Sequence, residues 1–342
     1  MRTDGSAGTY EWWYFDSILN DGSKLVIAFY TKPFTEPDGP LKPFVSIQLD
    51  RADGLSLDKE FHVKSLAEFS AAKERCNVRI GPNTFAGDLH TYTIHAELES
   101  ITADVTITGQ VPSWRPETGV IEYGEKREQF LAWLPSVPQG AVDAAITIDG
   151  QTTTYTGIGY HDHNWGNTPM PTLVNHWYWG RGQIGEYSII AANITSEEAY
   201  GGAEILLFML AKDGQIVAGD GQKVQFRLQD IYVDETTGKP VAKTVIYDYR
   251  DDTQHYVVTF KRHRDLVVHK FIDDVKGIKH LLAWLVGMDA AYLRFAGDII
   301  VERYEGDTVV ETKQADGIWE LMYFGKVHDG GREDPLRALE DL

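Results

Sequence analysis

The residues best suited to chemistry are concentrated in two neighbouring segments near the middle of the chain. Residues 157–166 read GIGYHDHNWG, and residues 175–181 read NHWYWGR. Together they hold three of the eleven histidines and three of the nine tryptophans. A proton donor beside aromatic rings suits protonation of an alkene, because ring faces attract the carbocation that develops. These residue types therefore predict general acid catalysis in an aromatic-walled pocket.

Strand geometry divides the first segment between two faces. In a strand, His161, His163 and Trp165 share one face, and Asp162 lies on the other. An unpaired buried polar group costs about 1–3 kcal/mol. The segment is therefore either a functional site or a structural network in which every polar group has a hydrogen-bond partner. In the second case, an ion pair between Asp162 and Arg181 is expected.

Metal binding and nucleophilic catalysis are the two alternatives to acid catalysis. His161 and His163 form a His-x-His pair on one strand face, and His176 supplies a third imidazole, so zinc binding is an alternative. A Gly-x-Ser-x-Gly elbow is absent, and the single Cys76 has no suitable histidine near it in sequence. Nucleophilic catalysis by serine or cysteine is therefore not expected.

The elements that must position these residues are predicted to be short antiparallel strands. Runs such as residues 24–30 (KLVIAFY) are rich in β-branched and aromatic residues and are bounded by turn residues. Residues 148–150 (IDG) indicate a hairpin, and residues 275–290 are the best helix candidate. The polar, glycine-ended stretch 195–202 suggests a boundary between an N-terminal domain, 1–196, and a C-terminal domain, 197–342.

Composition excludes several classes of function. The formal net charge of −19 disfavours binding to nucleic acid and to anionic membrane surfaces. No apolar run is long enough to span a bilayer, so stable membrane insertion is not expected. One cysteine cannot form an intramolecular disulfide, and no signal peptide is visible, so a cytoplasmic location is expected.

The two histidine- and tryptophan-rich segments, together with residues 11–16 (EWWYFD), resemble the hydroxyneurosporene synthase (carotenoid 1,2-hydratase)/AttH-like family. Kievitone-hydratase-like enzymes belong to the same family, and residues 293–298 (LRFAGD) resemble its C-terminal signature. The resemblance implies an all-β fold of two lipocalin-like antiparallel barrels packed together, with one short helix in the C-terminal half. It also implies a mainly hydrophobic cavity and no metal or organic cofactor. Diels–Alderase-like cyclases are more distant relatives with the same two-barrel architecture.

The resemblance also assigns roles to individual residues. A His-x-Trp pair of the carotenoid hydratases matches His163 and Trp165, whereas their Tyr-x-Asp pair has only Tyr187 as its counterpart here. We therefore expect His163 to donate the proton, Asp162 to raise its pKa, and Tyr187 to orient water or substrate. The expected substrate-binding residues are Trp12, Tyr14, His161, Trp165, His176, Trp177 and Trp179.

The predicted function is cofactor-independent hydration or acid-initiated cyclisation of a hydrophobic, alkene-bearing small molecule of terpenoid, prenylated or polyketide origin. Three alternatives stay open. The first is a pericyclic, Diels–Alderase-like cyclase or isomerase of the same architecture, and the second is a lipocalin-like carrier of apolar ligands without catalysis. The third is a metalloenzyme that uses His161, His163 and His176. The oligomeric state is not predicted.

Overall fold

The computed structural model describes residues 1–33, 36–271 and 289–327, and these residues form an all-β structure. Their strands make two antiparallel sheets, one of 12 strands and one of nine. Each sheet has its own core of buried apolar residues. The prediction of an all-β protein built on two antiparallel sheets is confirmed.

The first sheet contains every strand before residue 167. Its strands are β1 (Tyr10–Leu19), β2 (Lys24–Tyr30), β3 (Phe44–Asp50), β4 (Ser56–His62), β5 (Phe69–Ala71), β6 (Cys76–Ile80), β7 (Asn83–Gly87), β8 (Thr91–Leu98), β9 (Ile101–Gly109), β10 (Val120–Tyr123), β11 (Gln129–Ile148) and β12 (Gln151–Gly166). They lie in the order β4-β3-β2-β1-β12-β11-β9-β8-β7-β6-β5, and β10 pairs with β11.

The second sheet begins after one helical turn, α1 (Met170–Leu173). Its strands are β13 (Val174–Ile184), β14 (Tyr187–Ser196), β15 (Glu204–Lys212), β16 (Gln215–Ala218), β17 (Val224–Val233), β18 (Pro240–Arg250), β19 (His255–Lys270), β20 (Ala291–Glu305) and β21 (Thr308–Tyr323). Their order is β16-β15-β14-β13-β21-β20-β19-β18-β17. Short 3₁₀ turns occur at Leu66–Glu68, Glu198–Tyr200 and Gly221–Lys223.

The predicted hairpin at residues 148–150 joins β11 to β12. Asp149 and Gly150 have φ angles of +49° and +81°. Two consecutive residues with positive φ match the twist of antiparallel strands, and Asp-Gly is a favoured pair for this turn. The turn fixes the register of β12, the strand that carries four of the ten predicted site residues.

The chain divides differently from the expected boundary at residues 196 and 197. One compact unit comprises Met1–Met170 and Ala211–Ile216, and the other comprises Pro171–Leu210 and the described residues from Val217 onward. The polar stretch 195–202 is the connection between β14 and β15 of the second sheet, with Gly201 at φ +81°. Its polarity therefore reflects a turn rather than a linker.

The principal helix candidate, residues 275–290, falls outside the described residues up to position 288. Among the residues that are described, no helix combines the length and apolar character needed to cross a membrane.

Candidate functional site

A carboxylate–imidazole pair lies on the inner face of the first sheet. Trp13 of β1 stands opposite His163 of β12, and their rings stack at 4.8 Å with an interplanar angle of 12°. Trp165 contacts the same imidazole at 4.7 Å. The Nε2 atom of His163 lies 2.9 Å from Oε1 of Glu11, which is two positions before Trp13 and shares its face. His163 is thus held between two indole rings and a carboxylate.

Glu11 is fully buried, and several donors converge on its carboxylate. Oε1 and Oε2 accept hydrogen bonds from the backbone N–H of Arg2 at 2.8 and 2.9 Å. Oε2 also accepts from the backbone N–H and the hydroxyl of Thr3, both at 2.9 Å. Burial alone would raise the pKa of Glu11, but the hydrogen bonds from His163 and from these backbone donors bring it below its ordinary value.

The protonation state of His163 differs from the expected one. Burial lowers its pKa and outweighs the opposing effect of Glu11, so the imidazole is neutral at neutral pH and Nε2–H donates to the carboxylate.

The carboxylate beside His163 is Glu11 rather than the expected Asp162. The physical reason is strand alternation, which turns the neighbouring side chains 162 and 163 to opposite faces.

His161 lies on the same inner face and is fully buried. Its Nδ1 is 2.8 Å from the carbonyl oxygen of Tyr14, and its ring packs at 4.6 Å from Phe85 and 4.3 Å from Tyr92. Burial lowers the pKa of His161 to about 3. Nδ1–H therefore donates to the carbonyl, and Nε2 is buried without a partner among the described residues.

Asp162 is the centre of a hydrogen-bond network on the other face. Its Oδ2 accepts from Trp133 Nε1 at 2.8 Å and from the Tyr160 hydroxyl at 2.7 Å. Its Oδ1 accepts from Asn164 Nδ2 at 2.7 Å. The half-buried Trp12 and Tyr14 occupy the corresponding face of β1. The structure thus separates the predicted first-sheet residues into two groups, one on each face.

Four predicted site residues belong to the second sheet. His176 stacks on Tyr323 at 4.6 Å. Tyr187 is fully buried in the second core, and its hydroxyl donates to Glu311 at 2.7 Å. Trp177 and Trp179 lie on one face of β13. Tyr187 thus lies in the core of the second sheet, and its role in orienting water or substrate stays a prediction.

Glu320 of β21 is a candidate that the sequence reasoning did not select. Trp177 Nε1 donates to its Oε1 at 3.0 Å, and the Tyr292 hydroxyl donates to its Oε2 at 2.8 Å. Trp179 and Arg294 are its register partners on the two neighbouring strands. The signal that could have found it is the acidic residue within the aromatic segment 319–324, WELMYF.

The pKa of the Glu320 carboxyl group is shifted upwards. Burial raises its pKa above the ordinary value, although the donors Trp177 and Tyr292 and the nearby Arg294 oppose the shift. The residue as a whole is half-buried. A carboxyl group with a raised pKa keeps its proton to higher pH, as a general acid requires.

No metal site emerges among the described residues. No group of three or more His, Cys, Asp or Glu side chains lies close enough to hold an ion in residues 1–33, 36–271 and 289–327. His161 and His163 belong to the first sheet, whereas His176 belongs to the second.

Two pockets are lined by residues of the sheets, one at the first sheet and one at the second. One, of about 490 Å³, lies on the first sheet and is lined by Asn20, Asp104, Asp143, Ala144, Ala145, Thr154, Tyr155 and Thr156. The other is a crevice that leaves no room for a water molecule, and its lining includes Trp179 of the predicted site. His163 lines neither of them.

Two curated proteins are similar to this chain over about 60% of its length. Over 227 residues the chain is 26% identical to the quinolone epoxide rearrangement protein asqO of Emericella nidulans, covering 62% of this chain and 60% of that protein. Over 211 residues it is 21% identical to the acyclic carotenoid 1,2-hydratase of Thiocapsa roseopersicina, covering 59% and 51%. The chain therefore matches only about 50 to 60% of the length of these two curated relatives.

Solved structures share the fold across almost the whole chain. The crystal structure of CghA superposes with a TM-score of 0.64 at 14% identity, covering 94% of this chain and 90% of that one. A structure described as AttH from Nitrosomonas europaea gives 0.57 at 15% identity, covering 92% of both. The expected likeness to AttH is thus confirmed at the level of fold. The sequence model of the Diels-Alderase-like family matches residues 5–280, and the chain belongs to that family.

Proposed function

We propose that this protein is a cofactor-independent enzyme that starts a carbocation reaction of a hydrophobic small molecule by protonating it from Glu320. The observation that carries the proposal is the carboxyl group of Glu320, which accepts hydrogen bonds from Trp177 and Tyr292 and has a raised pKa. Trp179 lies opposite it in the sheet. The proposal keeps the acid-initiated chemistry expected from the sequence and assigns the acid to a different residue.

The reaction follows from the groups present. The Glu320 carboxyl transfers its proton to an alkene carbon or to an epoxide oxygen, and a C–O bond of the epoxide breaks in the second case. The cation is stabilised by the indole faces and by the carboxylate just formed. Capture by water gives hydration and capture by an internal hydroxyl gives cyclisation, and in both the surplus proton on oxygen returns to the Glu320 carboxylate. Loss of a proton from carbon to the same carboxylate gives isomerisation.

The relatives support this choice of chemistry. Their names describe epoxide rearrangement and carotenoid 1,2-hydration. Opening of an epoxide and addition of water to an alkene can both begin with protonation. A single general acid beside aromatic rings would serve either substrate class, and we extend the expected alkene substrate to include epoxides.

The test is Glu320→Gln, which keeps the size and removes the transferable proton. Turnover of a hydrophobic alkene and epoxide panel, followed by mass spectrometry, should fall about 10²–10⁴-fold. Alkene products formed in D₂O should carry deuterium at the protonated carbon. Glu302→Gln is the control, because Glu302 also accepts a hydrogen bond from a tyrosine, Tyr304, at 3.4 Å. Full activity in Glu320→Gln would disprove the assignment.

The pH dependence gives an independent check. With a raised pKa, Glu320 stays protonated above the ordinary range of a glutamic acid. Turnover should therefore be highest at low pH and fall as pH rises through that pKa. A flat profile would instead favour the pericyclic alternative, in which cavity shape rather than proton transfer accelerates the reaction.

A second candidate is favoured by the Glu11–His163 pair. Because Nε2–H donates to Glu11, Nδ1 is left to accept a proton, and Glu11 would stabilise the imidazolium formed. In that case turnover would rise with pH through the lowered pKa of His163, opposite to the Glu320 profile. His163→Ala would then lose about 10²–10⁴-fold of turnover.

Ligand binding with no product in the wild type or in any variant would instead favour a carrier of apolar ligands without catalysis.

A further inference from the structure

Arg262 is a charged side chain on the inner face of the second sheet. It follows Val258 and Phe260 at alternate positions of β19, and both of those residues belong to the second core. Its guanidinium carbon lies 4.9 Å from the centre of the Phe295 ring and 5.1 Å from that of Tyr232. The side chain is only 13% exposed. A guanidinium in such a place requires acceptors for all its N–H groups.

One side of the guanidinium is satisfied and the other is not. Nε and Nη2 donate to the two oxygens of Asp265 at 2.8 and 2.9 Å. Nη1 is buried and has no hydrogen-bond partner within the part of the chain that the structure describes. Leaving a buried donor unpaired costs about 1–3 kcal/mol. The guanidinium group of Arg262 therefore has an N–H donor, on Nη1, that a hydrogen-bond acceptor from outside the protein would satisfy.

A second unpaired donor borders the same aromatic ring. Trp319 is 3% exposed, and its Nε1 has no partner among the described residues. Its ring lies 6.0 Å from Phe295 and 5.5 Å from Phe260. Both orphan groups are donors, and both contact Phe295. Each of the two N–H groups lacks a hydrogen-bond acceptor among the described residues.

The apolar lining needed by a ligand lies on β17, an edge strand of this sheet. Phe226, Leu228 and Tyr232 pack against the second core but are only half-buried. The crevice beside Trp319 leaves no room for a water molecule, and neither Arg262 nor β17 lines it. A ligand would therefore lie along β17 and direct only a polar end towards Arg262.

We propose that the inner face of the second sheet binds an apolar molecule through a neutral carbonyl oxygen, which accepts a hydrogen bond from Arg262 Nη1. A neutral acceptor fits better than an anion because Asp265 already balances the charge of Arg262. A buried anion would add uncompensated charge. This binding site does not involve Glu320 or His163 and does not rest on the proposed reaction.

The probe is Prodan, an apolar fluorescent ketone whose emission moves to longer wavelength when its carbonyl accepts a hydrogen bond. N-phenyl-1-naphthylamine, which has no carbonyl, is the matched probe, and anilinonaphthalene sulfonate is the anionic one. Arg262→Lys keeps the charge and removes Nη1, and Trp319→Phe keeps the ring and removes the second donor. Arg227→Lys is the control, because Arg227 also pairs with an aspartate, Asp248 at 3.0 Å, but is exposed.

We expect Prodan affinity to fall about tenfold or more in Arg262→Lys, as for a hydrogen bond from a charged donor. Its emission should move to shorter wavelength, and Trp319→Phe should show a smaller loss. Arg227→Lys and the amine probe should show no change. No binding of Prodan to the wild type, or equal binding by both inner-face variants and the wild type, overturns the site. Arg262-dependent binding of the sulfonate but not of Prodan overturns the neutral-carbonyl assignment.

Discussion

The two sheets each place a glutamate among aromatic rings on a central strand, and the two carboxyl groups are shifted in opposite directions. Burial favours protonation of both. Glu11 also receives an imidazole N–H and three backbone or hydroxyl donors, and its pKa ends below the ordinary value. Glu320 receives one indole and one phenol, and its pKa ends above it. Burial is the largest single influence on both groups; the donors outweigh it at Glu11 and do not at Glu320.

Glu11 and Glu320 also differ in their burial and in the groups around them. Glu11 is completely buried, and its hydrogen bonds tie β1 to β12 and to residues 2 and 3. Glu320 is half-buried and borders Trp177 and Trp179. Ionised and fully satisfied, Glu11 stabilises the fold. Glu320, whose pKa is raised by burial, keeps its proton to higher pH than an ordinary glutamic acid.

The largest expected effect on stability is that of Glu11→Gln. The amide would direct N–H groups at donors, and removal of one partner from a buried pair costs about 3–5 kcal/mol. Urea unfolding at pH 7 measures the loss. The matched control is Glu60→Gln, because Glu60 also lies 2.9 Å from a histidine, His62, but the side chains are 54% and 45% exposed. The control should lose at most about 1 kcal/mol.

The pH dependence of this first prediction has a definite sign. Because the pKa of Glu11 is lowered in the folded state, its contribution is present above the unfolded value and lost as pH falls through the folded value. The difference between wild type and Glu11→Gln should therefore shrink in acid. An equal difference at pH 3 and pH 7 would contradict the ionised assignment.

His161 provides the next largest effect. Its pKa of about 3 lies below that of a free histidine, so the unfolded chain binds a proton first as pH falls below about 6.5. At about 1.36 kcal/mol per pH unit, the folded state should lose about 3 kcal/mol from this residue between pH 6.5 and pH 4. His161→Asn keeps a donor near the Nδ1 position and does not titrate. Its unfolding free energy should fall less steeply over that range.

The alternation of side chains in the sequence is enough to predict strand β12 and the two faces of its side chains. Alternation along residues 157–166 placed His161 and His163 together and Asp162 opposite, and the register of β1 with β12 agrees with that arrangement. The partner of His163 was not predictable, because Glu11 is 152 residues away and only the pairing of β1 with β12 brings it close. Asp162 was chosen for its closeness in sequence, which in a strand guarantees the opposite face.

The same limit explains why Glu320 was missed. Its hydrogen bond to Trp177 joins positions 143 residues apart. The sequence marked Trp177 as part of a site but gave no register for the last strand. A shift of one residue in β21 would turn Glu320 to the inner face and Trp319 to the outer one.

Glu320→Gln should affect stability much less than Glu11→Gln, and in the opposite direction. Because the pKa of Glu320 is raised on folding, ionisation costs the folded state stability as pH rises above the unfolded value. The neutral amide avoids this cost, so the variant should be as stable as the wild type or more stable at pH 8. Urea unfolding at pH 4 and pH 8 tests the sign. A loss comparable to that of Glu11→Gln would mean that Glu320 is a structural carboxylate.

Trp177→Phe should produce the smallest change and the most specific one. The phenyl ring keeps an aromatic face but removes the N–H that donates to Glu320 Oε1 at 3.0 Å. That hydrogen bond favours the carboxylate, so its loss should raise the pKa of Glu320 further and move the falling limb of the pH–rate profile to higher pH. Tyr292→Phe removes the donor to Oε2 and should move the limb in the same direction. If turnover falls in both variants while the limb stays in place, these side chains line the substrate without tuning the acid, and the profile belongs to another group.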